Sequence, residues 1–256
     1  MKVWTVTNQK GGVGKTTSAV SLAGLLSSMG FNTLVVDLDP HASLTTYFRY
    51  DPDELETSVY TLFQSVVQGT GSNPEPLIRD TKFEGLKLLP SVTALATLDR
   101  QASNMDGMGL ILLTALKKLE DQFDYVIIDT PPLLGVLMVN ALAACEHLII
   151  PVQTEFLALK GLERMLRTLE MILKARKKPL EYTVVPTMFD RRTKSSVDSL
   201  RVLRDRYGKY VWQSMIPVDT KFRDASRVGD PISFYDPNTK GVRAYDALLT
   251  YLREME

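Results

Sequence analysis

Short runs of β-branched and other apolar residues alternate along this chain with longer segments in which apolar residues recur every three or four positions. The short runs predict buried strands, and the longer segments predict helices. Strands that alternate with helices in this way are typical of a parallel sheet covered by helices on both faces. The predicted strands lie at residues 3–7, 33–37, 86–89, 125–129, 147–152 and 182–185. The predicted helices span residues 19–29, 59–68, 108–119, 139–144, 159–173, 195–207 and 241–253.

The helix predicted at 159–173 carries the most regular apolar stripe. Its leucines step by three and four: Leu159, Leu162, Leu166, Leu169 and Leu173. Such a stripe more often packs against a core than binds a partner. A loop with the sequence GTGSNP follows the helix predicted at 59–68, but no linker divides the chain. We therefore expect a single domain over residues 1–256.

Composition narrows the class of protein. Apolar residues make up 45% of the chain and charged residues 23%, which is ordinary for a globular protein. The single cysteine, Cys145, excludes an internal disulfide and agrees with a reducing cytosol, so we expect a cytoplasmic location. No apolar run approaches the roughly 18 residues that a membrane span requires. One cysteine and two histidines give no basis for a transition-metal site.

The net charge is zero, but the charge is unevenly distributed. Residues 1–159 carry 10 Lys and Arg against 17 Asp and Glu, residues 160–227 carry 17 against 8, and residues 228–256 carry 3 against 5. The excess of nine positive charges in the second segment (17 minus 8) predicts one basic face. Its basic groups lie at 174–178, Arg191, Arg192, Lys194, Arg201, Arg204, Arg206, Lys209, Lys221, Arg223 and Arg227. A solvated helix face is the ordinary explanation of any one of these basic groups. The total excess of positive charge, however, favours an anionic partner.

The segment between the first predicted strand and the first predicted helix carries the strongest chemical signal. It reads Gln9, Lys10, Gly11, Gly12, Val13, Gly14, Lys15, Thr16, Thr17. Glycines let backbone N–H groups turn inward and a helix N-terminus favours anions, so the segment predicts a phosphate-binding loop. In that pattern Lys15 reaches the β- and γ-phosphates and the Thr16 hydroxyl ligates Mg²⁺. A glycine-rich turn without chemistry is the alternative, and the strand–turn–helix context disfavours it.

Carboxylates follow two predicted strands, at the end where parallel sheets bind ligands. Asp129 closes a run of four large apolar residues, where a charge is costly unless it has a function. Asp37 and Asp39 flank Leu38, so both would lie on one side of an extended segment. Either aspartate alone could be an ordinary turn carboxylate. Their occurrence with the phosphate loop and the string DTPP at 129–132 favours one shared site.

These strings carry a family resemblance. KGGVGKTT, with its second lysine and with Gln9 where the general pattern has glycine, is similar to the deviant Walker A box of the ParA/MinD family of ATPases. VDLDPHAS at 36–43 is similar to the switch I box of that family, and Asp129 resembles the Walker B aspartate. With further matches at 150–153 and 235–237, the whole chain resembles a short ParA/Soj-type ATPase. The resemblance implies a single-domain P-loop NTPase with a mostly parallel twisted sheet flanked by helices.

Looser strings indicate one branch of the family. His41-Ala42-Ser43 replaces the common Gln-Gly-Asn, and with the strings at 43–47, 95–100 and 107–110 the chain resembles the ParC branch. Proteins of that branch are encoded with bacterial chemotaxis genes and place signalling arrays at the cell pole. His41 itself is either a plain loop residue or a hydrogen-bonding group near the γ-phosphate.

The resemblance implies ATP and Mg²⁺ as cofactors, with Asp37 helping to hold the metal shell and Asp39 orienting the attacking water. Members pair face to face with two nucleotides between them, and Lys10 crosses to the phosphates of the other subunit. The expected catalytic residues are Lys10, Lys15 and Asp39; the expected metal residues are Thr16, Asp37 and Asp129. The expected nucleotide contacts are residues 10–17 (Lys10, Gly11, Gly12, Val13, Gly14, Lys15, Thr16 and Thr17), together with Thr187, Met188, Pro217 and Val218 near the base.

The expected partners are a second copy on ATP, non-specific DNA, and a protein that stimulates hydrolysis or links the ATPase to its cargo. Arg192 matches an arginine through which Soj-type proteins hold DNA. The expected DNA contacts, which would go to phosphates, are Arg191, Arg192, Lys194, Lys221 and Arg223. The acidic C-terminus disfavours a membrane-binding helix of the MinD type. We therefore expect a cytoplasmic protein, nucleoid-associated or at the cell pole.

Two other functions fit a P-loop scaffold. One is a metabolic enzyme related to dethiobiotin or cobyrinate synthases, which phosphorylates a carboxylate. The other is a nucleotide-free scaffold, with which the intact Lys15–Thr16 pair conflicts. Lys10, the switch I box and the basic segment favour the ATPase switch over the synthase.

Overall fold

The computed structural model describes residues 1–71, 73–102, 107–173 and 179–255. In these residues seven strands form one sheet in the order β3-β4-β2-β5-β1-β6-β7. The strands are β1 Lys2–Val6, β2 Thr33–Asp37, β3 Arg79–Asp80, β4 Leu86–Leu89, β5 Tyr125–Asp129, β6 His147–Gln153 and β7 Glu181–Thr187. Neighbouring strands run parallel except β3, which is antiparallel to β4. The predicted mostly parallel sheet is therefore confirmed.

Helices cover the sheet. They are α1 Lys15–Ser28, α2 Ser43–Tyr47, α3 Val59–Val67, α4 Leu95–Ala102, α5 Ile111–Lys117, α6 Val136–Ala144, α7 Phe156–Leu173, α8 Lys194–Tyr207, α9 Lys221–Val228, α10 Ile232–Tyr235 and α11 Lys240–Glu254. Short 3₁₀ turns lie at Glu75–Leu77, Met108–Leu110 and Gly208–Tyr210. No helix in the described ranges combines the length and the apolar character that crossing a bilayer demands.

Alternate residues of the central strands enter two different cores, because successive side chains point to opposite faces of a sheet. Val35 and Ile127 pack with α1 and α11, whereas Val36 and Ile128 pack with α3, α5 and α6. Coverage of both faces explains why these strands read as continuous apolar runs.

The leucine stripe of α7 packs inward. Leu159, Leu162, Leu166 and Leu169 are buried in a third core cluster with residues of β6 and β7. The side chain of Leu173 lies outside the described residues. The first residues of the same helix, Phe156 and Leu157, are instead 64% and 68% exposed. The stripe is therefore core, and the exposed pair is a separate feature.

The structure departs from the predicted elements mainly at short segments. The helix predicted from 108 begins as a 3₁₀ turn and becomes α-helical at Ile111. Sequence patterns did not predict α2, β3, α4, α9 or α10, which have at most eight residues each. Helix α9, for example, has only eight residues, of which Ala225 alone is fully buried, so its apolar pattern is too short to predict a helix. Of the predicted features, Ser72 in the GTGSNP loop and the basic group at 174–178 lie outside the described residues.

Candidate nucleotide-binding site

The predicted phosphate loop and both predicted acidic boxes meet at one edge of the sheet. Strand β5 lies between β1 and β2, and its last residue, Asp129, is the register partner of both Val6 and Asp37. The loop that follows β1 therefore stands beside the loops that follow β2 and β5. The carboxyl ends of parallel strands are the usual ligand-binding edge of such sheets.

The loop from β1 to α1 is held open by the Asn8 side chain and by two left-handed glycines. The Asn8 amide donates to the Pro151 carbonyl at 2.7 Å and accepts from the Lys10 backbone N–H at 2.9 Å. Gly12 and Gly14 have φ values of 74° and 94°, a left-handed conformation that favours glycine. A Cβ atom added at Gly11, Gly12 or Gly14 would meet nothing within 4 Å, so the loop encloses open space. That space suits a phosphate chain bound by backbone N–H groups.

A depression of about 410 Å³ lies above this loop. Its lining contains seven of the predicted nucleotide contacts, together with the predicted catalytic Asp39. The lining residues are Gly11, Gly12, Gly14, Lys15, Thr16, Thr17, Asp39, His41, Ser43, Pro132 and Met188. Val13 is buried instead and contributes through its backbone, since its carbonyl accepts from the Thr187 hydroxyl at 2.9 Å. Thr187 therefore supports the phosphate loop by this hydrogen bond to its backbone.

Thr16 and Asp129 form the pair that fits a magnesium ion. The Thr16 hydroxyl donates to Asp129 Oδ2 at 2.6 Å. Asp129 Oδ1 is buried without a hydrogen-bond partner among the residues described. Burial raises the pKa of Asp129 to about 7, against the opposing effects of the Thr16 hydrogen bond and the Lys15 charge. A nearby cation would favour the ionised form, and hydroxyl and carboxylate oxygens are suitable ligands for Mg²⁺.

Asp37 holds the loop that follows β2. Its carboxylate accepts from the Asp39 N–H at 3.0 Å and from both the N–H and the hydroxyl of Thr45 at 2.8 Å. Burial, followed by the negative charge of Asp129, raises the pKa of Asp37 to about 8. Three protein donors already satisfy this carboxylate, so the geometry assigns it to loop support. Its part in the metal shell stays a prediction.

Lys10 lies at the rim of the site and is bound within its own chain. Its Nζ forms an ion pair with Glu155, in the turn between β6 and α7. Both side chains remain about one third exposed, at 31% and 37%. The lysine expected to reach a second subunit is therefore surface-accessible and held by a carboxylate 145 positions along the chain.

Comparison with known proteins identifies the family to which the chain belongs. A family model described as an AAA domain matches residues 1–182. The chain is 33% identical to the sporulation initiation inhibitor protein Soj of Bacillus subtilis over 245 residues, which cover 95% of each protein. It is 32% identical to the chromosome partitioning protein ParA of Myxococcus xanthus, over 95% of this chain and 84% of that protein. The chain belongs to the ParA/Soj family of P-loop ATPases.

One similar solved structure is named as a biosynthetic enzyme. Cobyrinic acid a,c-diamide synthase of Mycobacterium smegmatis superposes with a TM-score of 0.83 and 35% sequence identity, over 100% of this chain and 97% of that one. It has been solved with ADP and magnesium and with an ATP analogue and magnesium. That protein thus binds the cofactors for which the Thr16–Asp129 pair and the open loop are suited.

In this ParA/Soj family member the residues predicted near the base divide between two depressions. Met188, with a left-handed φ of 53°, lines the depression above the phosphate loop. Pro217 and Val218 line a second depression of about 640 Å³. The Val218 N–H donates to the Phe189 carbonyl at 3.0 Å, which joins the two loops that form its floor.

The predicted DNA contacts lie on and beside this second depression. Arg191 and Arg192 line it, as does Lys240, which the prediction missed because its surrounding segment is net acidic. Arg192 is bound to Asp190 by two parallel bonds, Nε to Oδ1 at 2.9 Å and Nη2 to Oδ2 at 2.7 Å. The remaining predicted residues are exposed Lys194 and Arg223 and the half-buried Lys221, 3.6 Å from the Asp224 carboxylate.

Proposed function

We propose that this protein is an ATP-dependent dimerisation switch that positions or segregates cellular cargo. The observation that carries the proposal is the second lysine of the phosphate loop. Lys15 is buried and lines the depression, whereas the half-buried Lys10 precedes the lining residue Gly11 and keeps about one third of its side chain exposed. One lysine is thus placed for its own nucleotide, and the other is accessible to the nucleotide of a second subunit.

ATP and Mg²⁺ would bind at the β1–α1 loop. Backbone N–H groups of residues 11–17 and the Lys15 ammonium would hold the phosphates, and Thr16 with Asp129 would hold the metal. The described residues contain no group of three or more His, Cys, Asp and Glu that could hold a metal unaided. Magnesium would therefore take phosphate oxygens and waters as its other ligands, as it commonly does. Bound there, it would neutralise charge on the phosphates, while Asp39 would orient the attacking water.

Exposed apolar side chains support pairing of two subunits through this face. Leu133 and Leu134 follow Pro132, which lines the nucleotide depression, and are 71% and 40% exposed. Phe156 and Leu157 follow Glu155, the partner of Lys10. The first pair thus adjoins the site from the loop after β5, and the second from the start of α7. Burial of such side chains contributes about 1.5–3 kcal/mol each when complete, so a second copy on this face would be stabilised.

The basic residues of the second depression and of α9 support non-specific DNA binding by the ATP dimer. Their side chains would contact phosphates, and non-specific binding of this kind has dissociation constants of roughly 10⁻⁴–10⁻⁶ M at physiological salt. Two subunits joined on ATP would offer two basic surfaces to one duplex, and the second contact becomes effectively intramolecular. The cargo would be a chromosome, a plasmid or, in the ParC-like branch, a polar chemotaxis array. A protein partner would stimulate hydrolysis or connect the cargo, on the nucleoid or at the pole.

The second candidate is a synthase activity, which the structural neighbour from M. smegmatis favours by its name and its 35% identity. Such an enzyme would transfer phosphate to an organic carboxylate. It would need no trans-acting lysine, no apolar rim and no basic surface. Formation of ADP only in the presence of cobyrinic acid would identify this activity.

The deciding experiment is size-exclusion chromatography with light scattering on the Asp39→Ala variant. Removal of the water-orienting carboxylate should preserve nucleotide contacts and let the ATP state accumulate. We expect the 28.7 kDa monomer with Mg-ADP and a species of twice that mass with Mg-ATP. Duplex DNA of unrelated sequences should bind the second species alone. If the variant stays monomeric with both nucleotides and the wild type forms ADP only with an organic acid, the synthase would replace the switch.

A further inference from the structure

The loop between β2 and α2 contains a side-chain pair that the proposed mechanism does not yet use. His41 Nδ1 lies 2.8 Å from Asp39 Oδ1, and the His41 backbone N–H donates to the same oxygen at 3.0 Å. The His41 side chain is 79% exposed and the Asp39 side chain only 13%. Both residues line the nucleotide depression.

The hydrogen bonds distinguish the two oxygens of Asp39. An ionised carboxylate can only accept, so the pair requires the hydrogen of the imidazole on Nδ1. Both donors from His41 end on Oδ1, and within the described ranges no hydrogen bond reaches Oδ2. Oδ2 is thus the oxygen that remains able to accept from a water molecule.

The backbone around this pair is fixed from several sides. The Asp39 carbonyl accepts from the Ser91 hydroxyl and from the Ala42 N–H, both at 2.8 Å, and its N–H donates to Asp37. Ala42 is fully buried with a φ of 52°, a left-handed conformation that is strained for a non-glycine residue. A strained residue persists only where its surroundings determine its conformation. The side-chain torsion of Asp39 is therefore restricted by His41, whose backbone N–H and ring both donate to Oδ1.

We propose that His41 is a positioning residue for ATP hydrolysis, whose ring hydrogen bond orients the Asp39 carboxylate so that Oδ2 faces the attacking water. The inference rests on the proposed function, because it assigns to His41 a part in the same hydrolysis. An asparagine can take over the bond, since its Nδ2 is attached to Cγ as Nδ1 is in histidine. A leucine has nearly the same shape as asparagine and no donor.

The test measures single-turnover hydrolysis of Mg-ATP and affinity for a fluorescent ATP analogue. The proteins are the wild type, His41→Asn, His41→Leu, Asp39→Ala and the double variant Asp39→Ala with His41→Leu. We expect His41→Leu to hydrolyse about tenfold more slowly, the order expected for a hydrogen bond to a charged group. Its nucleotide affinity should stay within about twofold of the wild type, and His41→Asn should keep at least half of the wild-type rate. In the Asp39→Ala background the leucine should cause no further loss, as coupled residues require.

Several results would overturn the assignment and leave the proposed function standing, provided that the wild type hydrolyses ATP. They are an unchanged rate in His41→Leu, an equal loss in His41→Asn, a loss confined to nucleotide affinity, and a full additional loss in the double variant. Thermal melting shows whether the variants fold, and exposure of the ring predicts that they do. Absence of ATP hydrolysis by the wild type would remove the proposed function and this role together.

Discussion

Two aspartates at the same edge of the sheet have opposite surroundings. Asp129 ends the central strand β5, is 1% exposed, and has a pKa raised by burial to about 7. Asp190 lies three residues beyond β7 at the side of the sheet, and its hydrogen bonds with Arg192 lower its pKa to about 2. Coverage of both sheet faces separates Asp129 from water. The chain itself gives Asp190 a positive partner.

The difference separates two kinds of candidate site. At the centre, a buried carboxylate with an unpaired oxygen is completed by a ligand, which here would be magnesium with its nucleotide. At the side, the charges are largely satisfied before any ligand arrives. Arg192 in particular is already paired, so it should contribute less to DNA binding than the neighbouring Arg191. Variants at both places test this contrast, and those at the centre should have the larger effects.

Lys15→Ala should have the largest effect. The Lys15 ammonium is buried in the depression and is the main fixed positive charge for the phosphates. We expect ATP affinity to fall by at least about 100-fold, because hydrogen bonds between charged groups are the strong ones. Calorimetric titration with Mg-ATP measures the loss, and Lys194→Ala, which removes a lysine outside this depression, is the matched control. Equal affinities of the two variants would place the phosphates elsewhere.

Lys10→Ala should separate binding from turnover. Its ATP affinity should stay within about threefold of the wild type, since the loop backbone and Lys15 are unchanged. Dimerisation should be lost, and hydrolysis should fall by about 10²-fold or more, as for other cations supplied in trans to a phosphoryl transfer. Light scattering and phosphate release measure the two effects. Wild-type dimerisation and hydrolysis in this variant would refute the trans-lysine mechanism.

Glu155→Gln tests the role of Lys10 by removing the charge of its ion-pair partner. The ion pair holds Lys10 within its own subunit, so its removal should free the lysine and favour the ATP dimer by a few-fold. The expected gain is small because exposed ion pairs are weak. Sedimentation equilibrium with Mg-ATP provides the measurement. A weaker dimer would show that Glu155 supports the interface rather than competing with it.

Arg191→Glu and Arg192→Glu compare a less constrained arginine with a paired one. We expect the first to weaken DNA binding by the ATP dimer about tenfold and the second to weaken it less. Each should reduce the slope of log affinity against log salt, by about one for each DNA phosphate that the variant no longer neutralises. Mobility-shift titrations at two salt concentrations, with dimerisation verified, provide the comparison. A larger decrease in affinity for Arg192→Glu would mean that Asp190 presents this arginine to the phosphates.

Asp190→Ala should have the smallest effect. Removal of the carboxylate frees the Arg192 guanidinium, so DNA affinity should rise about twofold and the salt slope should steepen by at most about one phosphate. The same titrations detect the change. A fall in affinity would favour the orienting role of Asp190 over the neutralising one.

The sequence by itself determined the features that depend on local pattern. Central strands covered on both faces must be apolar throughout, so β2 and β5 were visible as runs. The phosphate loop was visible because its glycines meet a local backbone requirement, a left-handed φ at Gly12 and Gly14. The aspartates Asp37, Asp39 and Asp129 were visible because charges at the ends of apolar runs are conspicuous.

Only the tertiary structure decided which distant groups meet. Lys10 and Glu155 are 145 positions apart, and Thr187 and Val13 are 174 apart, so no local period could pair them. Helix α9 was missed because its eight residues give too short an apolar pattern for a helix prediction. The pairing of Arg192 with Asp190 depends on a loop conformation, which decides whether a basic residue is available or already neutralised. Sequence sets which charges exist, while packing decides their burial and their partners, because both depend on contacts between segments far apart in the chain.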